Sequence, residues 1–120
     1  MLALISFFFS TDVPDPPEIL RIDEGLNNLK IHWRESTTKP KFSILSYMVQ
    51  IKEKGESHEW INCTQIENQT GSMMCRMDEL KSNTEYIVRV SARNVVGFSE
   101  FTMREVSTKE PTGNGFPFMC

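Results

Sequence analysis

The sequence has little of what catalysis, membrane insertion or nucleic-acid binding requires. It holds two His among 120 residues, and neither His32 nor His58 has a nucleophile and an orienting acid arranged beside it in the chain. No enzyme is expected. Its 13 Lys and Arg are outnumbered by 16 Asp and Glu, leaving a formal charge of −3, the wrong sign for gripping a phosphate backbone. No nucleic-acid partner is expected. Gly25, Gly55, Gly71 and Gly97 are scattered turn residues that never gather into a phosphate-binding loop with its lysine, so nothing points to a nucleotide cofactor. No apolar run approaches the ~20 residues that span a bilayer. The apolar stretch 2–9, broken by Ser6, also lacks the basic start and small-residue cleavage pattern of a signal peptide. Its two readings are a remnant of a secretion signal and an unusual start. No membrane insertion by this domain is expected, and no segment of useful length has the 3.6-residue period of an amphipathic helix.

What is present is alternation. With 39% hydrophobic and 24% charged residues, the chain resembles an ordinary soluble domain, long enough for one core and too short for two. Pro14, Pro16 and Pro17 form an extended lead-in that cannot donate to a ladder and suits the rim of a sheet. Residues 19–22 read as a first strand. Leu29, Ile31 and Trp33 then alternate with Lys30 and His32, which buries one face and wets the other. Tyr47, Val49 and Ile51 share the inner face of a third strand. Residues 58–65 read as a short edge strand and 67–72 as a loop. Met73, Cys75 and Met77 face inward on the fifth strand. The strongest pattern is Tyr86, Val88, Val90 and Ala92 against Ile87, Arg89, Ser91 and Arg93. A hairpin around Gly97 leads to a last strand over 103–108.

Seven short strands separated by turns imply an all-β, two-sheet sandwich of immunoglobulin-like type. The first, second and fifth strands are assigned to one sheet and the others to its partner. Residues 14–108 form the domain, 1–13 an apolar lead and 109–120 a flexible tail.

Cys63 and Cys75 lie inside the patterned region, whereas Cys120 is terminal. Two glycosylation acceptors, Asn62-Cys63-Thr64 and Asn68-Gln69-Thr70, sit nearby. Together these features favour a bridged pair, glycans on Asn62 and Asn68, and an extracellular location. A Cys63–Cys75 bond would staple the two sheets at one side. The competing reading of the pair is two small buried hydrophobes in a reducing cell. A zinc site using His58 lacks the paired spacing such sites need. Met73, Met74 and Met77 could suggest soft-metal ligation, but Met73 and Met77 fit core packing better, so no metal and no other cofactor is expected.

Several pieces closely resemble a fibronectin type III domain: Pro14-Asp15-Pro16-Pro17, Leu29-Lys30-Ile31-His32-Trp33, Tyr47-Met48-Val49-Gln50-Ile51, and Leu80-Lys81-Ser82-Asn83-Thr84-Glu85-Tyr86-Ile87-Val88-Arg89-Val90, continued by Ala92, Asn94, Gly97 and Ser99. The resemblance implies Trp33 as the central core tryptophan, Leu80 as the plug before the corner and Tyr86 as the corner tyrosine, with Tyr47 and Val88 in the same core. It also implies a turn at Gly97 that a Cβ would oppose. Ser82 and Asn83 stand where the family often has Pro and Gly, which implies a less rigid corner. No Arg-Gly-Asp occurs, so integrin binding is not implied.

Phe98-Ser99-Glu100-Phe101-Thr102 loosely resembles the aromatic-Ser-x-aromatic-Ser signature of cytokine-receptor domains, departing at three places. It offers a stack of Arg89 and Arg93 on Phe98 and Phe101, with ordinary surface residues as the favoured reading. Trp60 and Ile61 offer a further surface, with packing of Trp60 on its own sheet edge the simpler reading. The resulting expectation is a non-catalytic extracellular recognition or spacer module of an adhesion molecule or cell-surface receptor. Its partners would be neighbouring modules or a surface ligand. The alternatives are a cytokine-receptor-like domain and an intracellular structural repeat.

Overall fold

The computed structural model describes residues 12–37, 41–55 and 58–111. Among them lie eight strands: β1 Glu18–Glu24, β2 Leu29–Arg34, β3 Ser46–Glu53, β4 Ile61–Asn62, β5 Ile66–Gln69, β6 Ser72–Met77, β7 Glu85–Arg93 and β8 Thr102–Ser107. They form two four-stranded antiparallel sheets, one in the order β1-β2-β6-β5 and the other β4-β3-β7-β8. The strands that were expected divide between the sheets as the two-sheet sandwich assignment had them.

The strand count differs. Residues 66–69 form β5, paired with β6 through a tight turn whose Gly71 has φ 77°, where a loop was expected. Glu67, Asn68 and Gln69 are all exposed, so this edge strand has no alternating pattern to reveal it and is held by backbone pairing to one neighbour. Conversely, 58–65 yields only the two-residue β4.

The inner faces meet in a core of Ile19, Leu29, Ile31, Trp33, Val49, Ile51, Cys63, Cys75, Met77, Tyr86, Val88 and Val90, with Tyr47, Met73 and Leu80 partly buried against it. Trp33 is wholly buried and meets Tyr47 edge-to-face, with centroids 5.6 Å apart. Its indole N–H has no acceptor among the described residues, a cost of about 1–3 kcal/mol. Burying a ring of about 150–250 Å² contributes roughly 4–6 kcal/mol as an upper estimate, so the tryptophan stabilises on balance.

Around the corner, Asn83 takes φ 48°, left-handed backbone that Asn tolerates where the family often has Gly. The expected looseness is opposed by an array of bonds. The Tyr86 hydroxyl accepts the Lys81 N–H at 2.9 Å, Leu80 exchanges bonds with Asn27, and the Asn83 N–H donates to the Lys109 carbonyl. The described start of the tail, 109–111, is therefore tied in at Lys109; residues 112–120, with Cys120, and residues 1–11 lie outside the described set.

Two expectations of detail fail. His32 is buried rather than wet, because its ring on the outer face of β2 is covered and its Nε2 lies 3.1 Å from Asp23 Oδ2. Gly97 is not left-handed; an added Cβ would meet Val13 Cγ1 at an ordinary 3.5 Å.

Candidate functional site

The outer face of the β4-β3-β7-β8 sheet carries the most organised polar and aromatic cluster. Register places Gln50 of β3 opposite both Asn62 of β4 and Arg89 of β7. Arg89 Nε donates to Gln50 Oε1 at 2.7 Å, and Gln50 Nε2 donates to Asn62 Oδ1 at 2.8 Å. One hydrogen-bonded row thus crosses three strands.

Above that row the Arg89 guanidinium is held between two rings, 3.8 Å from the Trp60 centroid and 4.1 Å from that of Phe101. Lys52 lies over Trp60 at 5.1 Å. The electron-rich faces attract the cation while the rings exclude water from it, and this desolvation lowers the Arg89 pKa from its ordinary value. The group stays charged, because an arginine starts far above neutrality. Arg93 and Phe98 form a looser step at 6.0 Å.

Sequence reasoning offered Arg89, Arg93, Phe98 and Phe101 as a stack without pairing them and favoured ordinary surface residues; the structure places Arg89 beside Phe101 and Arg93 beside Phe98. It missed Trp60 as the second ring on Arg89. Trp60 belongs to the segment before β4, distant in sequence from β7, and only the β3-mediated register brings the two together. The usable signal was that Trp60 precedes a strand destined for the same sheet as Arg89.

The 98–102 segment is fastened to this sheet. Ser99 Oγ accepts the Ala92 N–H at 2.9 Å, and Ser91 Oγ donates to the Ser99 carbonyl at 2.8 Å, both in buried surroundings. Asn94 closes the preceding turn, its Oδ1 accepting from the Val96 and Gly97 N–H groups while Nδ2 donates to the Asp12 carbonyl.

Behind the face, Cys63 and Cys75 are joined across the sandwich, from the residue after β4 to the middle of β6. Asn62 and Asn68 are both exposed. His58 stands apart from the cysteines beside Glu53, and among the described residues no group of three or more His, Cys, Asp or Glu is placed to hold a metal. The site presents a fixed cationic and aromatic surface.

Comparison with known proteins decides the family. The fibronectin type III domain model matches residues 15–108. The chain belongs to the fibronectin type III domain family. As a fibronectin type III domain it is non-catalytic. It is 31% identical over 101 residues to cardiac-type myosin-binding protein C of Homo sapiens, covering 83% of this chain and 7% of that protein. A crystal structure of titin domains A168–A170 is similar with TM-score 0.65 and 26% identity, over 82% of this chain and 33% of that one. A structure of titin kinase and its flanking domains is similar with TM-score 0.63 and 25% identity, over 82% and 18%. The chain therefore spans a small part of these three.

These relatives overturn the expected setting. They are intracellular proteins of muscle, not receptors or adhesion molecules, so the extracellular location and the adhesion or receptor role inferred from sequons and cysteines do not stand. The error has a physical source. Short Asn-x-Thr triplets arise by chance on exposed strands, and a cysteine pair within bridging distance does not by itself fix the compartment.

Proposed function

We propose that this fibronectin type III domain is a structural repeat of an intracellular protein, a rigid spacer that contacts neighbouring protein modules. Its 31% identity to myosin-binding protein C along most of the chain carries the reading. In this reading residues 14–108 are the folded unit, with 1–13 and 109–120 as its flanks. Trp33, Tyr47, Leu80, Tyr86 and Val88 keep the two sheets in fixed relation. The Lys52, Trp60, Arg89 and Phe101 ladder stiffens one outer face, where Met103, paired with Arg89 and more than half exposed, is available to a partner. Such a module transmits orientation between its ends because its core resists shear.

Expressing the full chain in cultured muscle cells tests the reading. The expected result is a protein in the cell lysate whose mass is unchanged by N-glycosidase. Recovery from the medium with glycosidase-sensitive Asn62 or Asn68 would overturn it.

A further inference from the structure

We propose that Cys63 is a thiol–disulfide exchange site, with Cys75 as its resolving partner and a low-molecular-weight disulfide of the glutathione class as its reactant. The pair would then be a reversible staple between the sheets. The inference rests on the intracellular reading above, since a reducing compartment keeps most thiols free.

Both redox states fit the site. The Cα atoms are 6.5 Å apart, within the span a disulfide bridges without backbone movement. In the bridged structure the Cys63 sulfur lies 3.5 Å from the Arg76 carbonyl, an acceptor within reach of an S–H on reduction, while Cys75, wholly buried and opposite Ile31, would pack as a small apolar residue.

Access is asymmetric. Cys63, 6% exposed, lines a surface cavity with Tyr47, Asn62 and Phe98, whereas Cys75 has no exposed surface. The Cys63 thiolate, after losing its proton to solvent, attacks one sulfur of the reactant and releases one thiolate, leaving a mixed disulfide on Cys63. The deprotonated Cys75 then attacks the Cys63 sulfur and releases the second. Two protein thiols lose two electrons and two protons; the reactant gains both and departs as two thiols.

The fold gives this exchange a local consequence. The segment at 61–63 is held to β3 by two paired positions and the Cys63 N–H to Val49 carbonyl bond, so the bridge is a substantial part of its attachment. Oxidation ties the Trp60 side of the ladder to the opposite sheet, and reduction frees it to move with β3 alone.

The test uses the full chain carrying Cys120→Ser, so that only this pair reacts, equilibrated in glutathione buffers from cytosolic to oxidising ratios. Alkylation and mass spectrometry count free thiols. The pair is expected to convert within that range, with Cys75→Ser trapping glutathione on Cys63. The bridged form is expected to have an unfolding equilibrium constant on the order of a hundredfold smaller than the dithiol, and slower amide exchange at 61–63. A pair bridged at every ratio, a pair that never bridges, or end states of equal stability would overturn the proposal; the first two need no Cys75 variant to fold. A chain found in lysate whose pair does not convert sinks this inference alone, and a secreted chain whose pair does convert sinks the compartment reading alone.

Discussion

The Tyr86 hydroxyl reaches back five residues to accept the Lys81 N–H at 2.9 Å, fixing the corner between β6 and β7. The ring is buried, so Tyr86→Phe preserves packing and deletes only the acceptor. A loss of about 1–2 kcal/mol in urea unfolding is expected, with an unchanged denaturant slope. A loss below a few tenths would mean that water replaces the phenol at Lys81 without penalty.

The place of Tyr86 at its corner came from the resemblance to the fibronectin type III family, and its physical sense is that the ring can fill the space between sheets while the hydroxyl meets backbone polarity. The inward faces of Trp33, Val49 and Val88 were plain from period-two alternation, and the division into sheets came from fitting the strands to a two-sheet sandwich. β5 was not, since Glu67, Asn68 and Gln69 are exposed and their strand exists through main-chain pairing that leaves no side-chain signature. His32 was misread because alternation says which face a residue occupies, not whether neighbouring side chains cover that face. Trp60 was missed as a ladder ring because its contact with Arg89 depends on the order of strands across a sheet. The cellular setting was misjudged since cysteine and sequon counts say what modification is possible, and the compartment decides whether it happens.

Arg89 between Trp60 and Phe101 predicts an energetic coupling measurable by a double-mutant cycle. Arg89→Ala, Trp60→Ala and their combination should give a coupling of about 1–2 kcal/mol, since the cation is partly desolvated between the rings. Arg89→Lys should recover only part, because an ammonium cannot lie flat on both rings or reproduce the planar donor to Gln50. Additive single effects would show that the stack contributes packing area and no specific attraction.

The β1–β2 ladder makes an acid-side prediction. Burial alone would raise the Asp23 pKa, but Arg21 and His32 outweigh it and the net direction is downward. A carboxylate whose folded pKa lies below its unfolded value of about 3.9 contributes stability that is present above that value. The contribution is lost as pH falls through the folded pKa. Asp23→Asn should therefore flatten the decline in stability below about pH 4 while changing little near neutrality, and the effect should be small because Asp23 is about half exposed. Parallel pH profiles for variant and parent would remove Asp23 from the account.

Gly71 isolates backbone strain from packing. Its φ is 77° and an added Cβ would meet nothing within 4 Å, so Gly71→Ala should cost roughly 1 kcal/mol from the left-handed conformation alone. Thermal unfolding should shift down, with hydrogen exchange accelerated in β5 and the adjoining half of β6. Unchanged unfolding would mean that the turn relaxes into another geometry while keeping the Gln69 to Ser72 register.

Ser99 distinguishes a structural fastening from a surface motif. Its hydroxyl accepts the buried Ala92 N–H at 2.9 Å and donates to the Glu100 carbonyl at 2.8 Å, so the 98–102 segment is pinned to β7 while its two aromatics face the arginines. Ser99→Ala leaves the Ala92 N–H without its acceptor in surroundings closed to water, which should cost about 1–3 kcal/mol. Because Phe101 sits two residues on, the same change should weaken its grip on Arg89, and the Arg89–Trp60 coupling should rise or fall with it. If instead Ser99→Ala left both stability and that coupling unchanged, the ladder would be held by the rings themselves and the serine bond would be incidental to it.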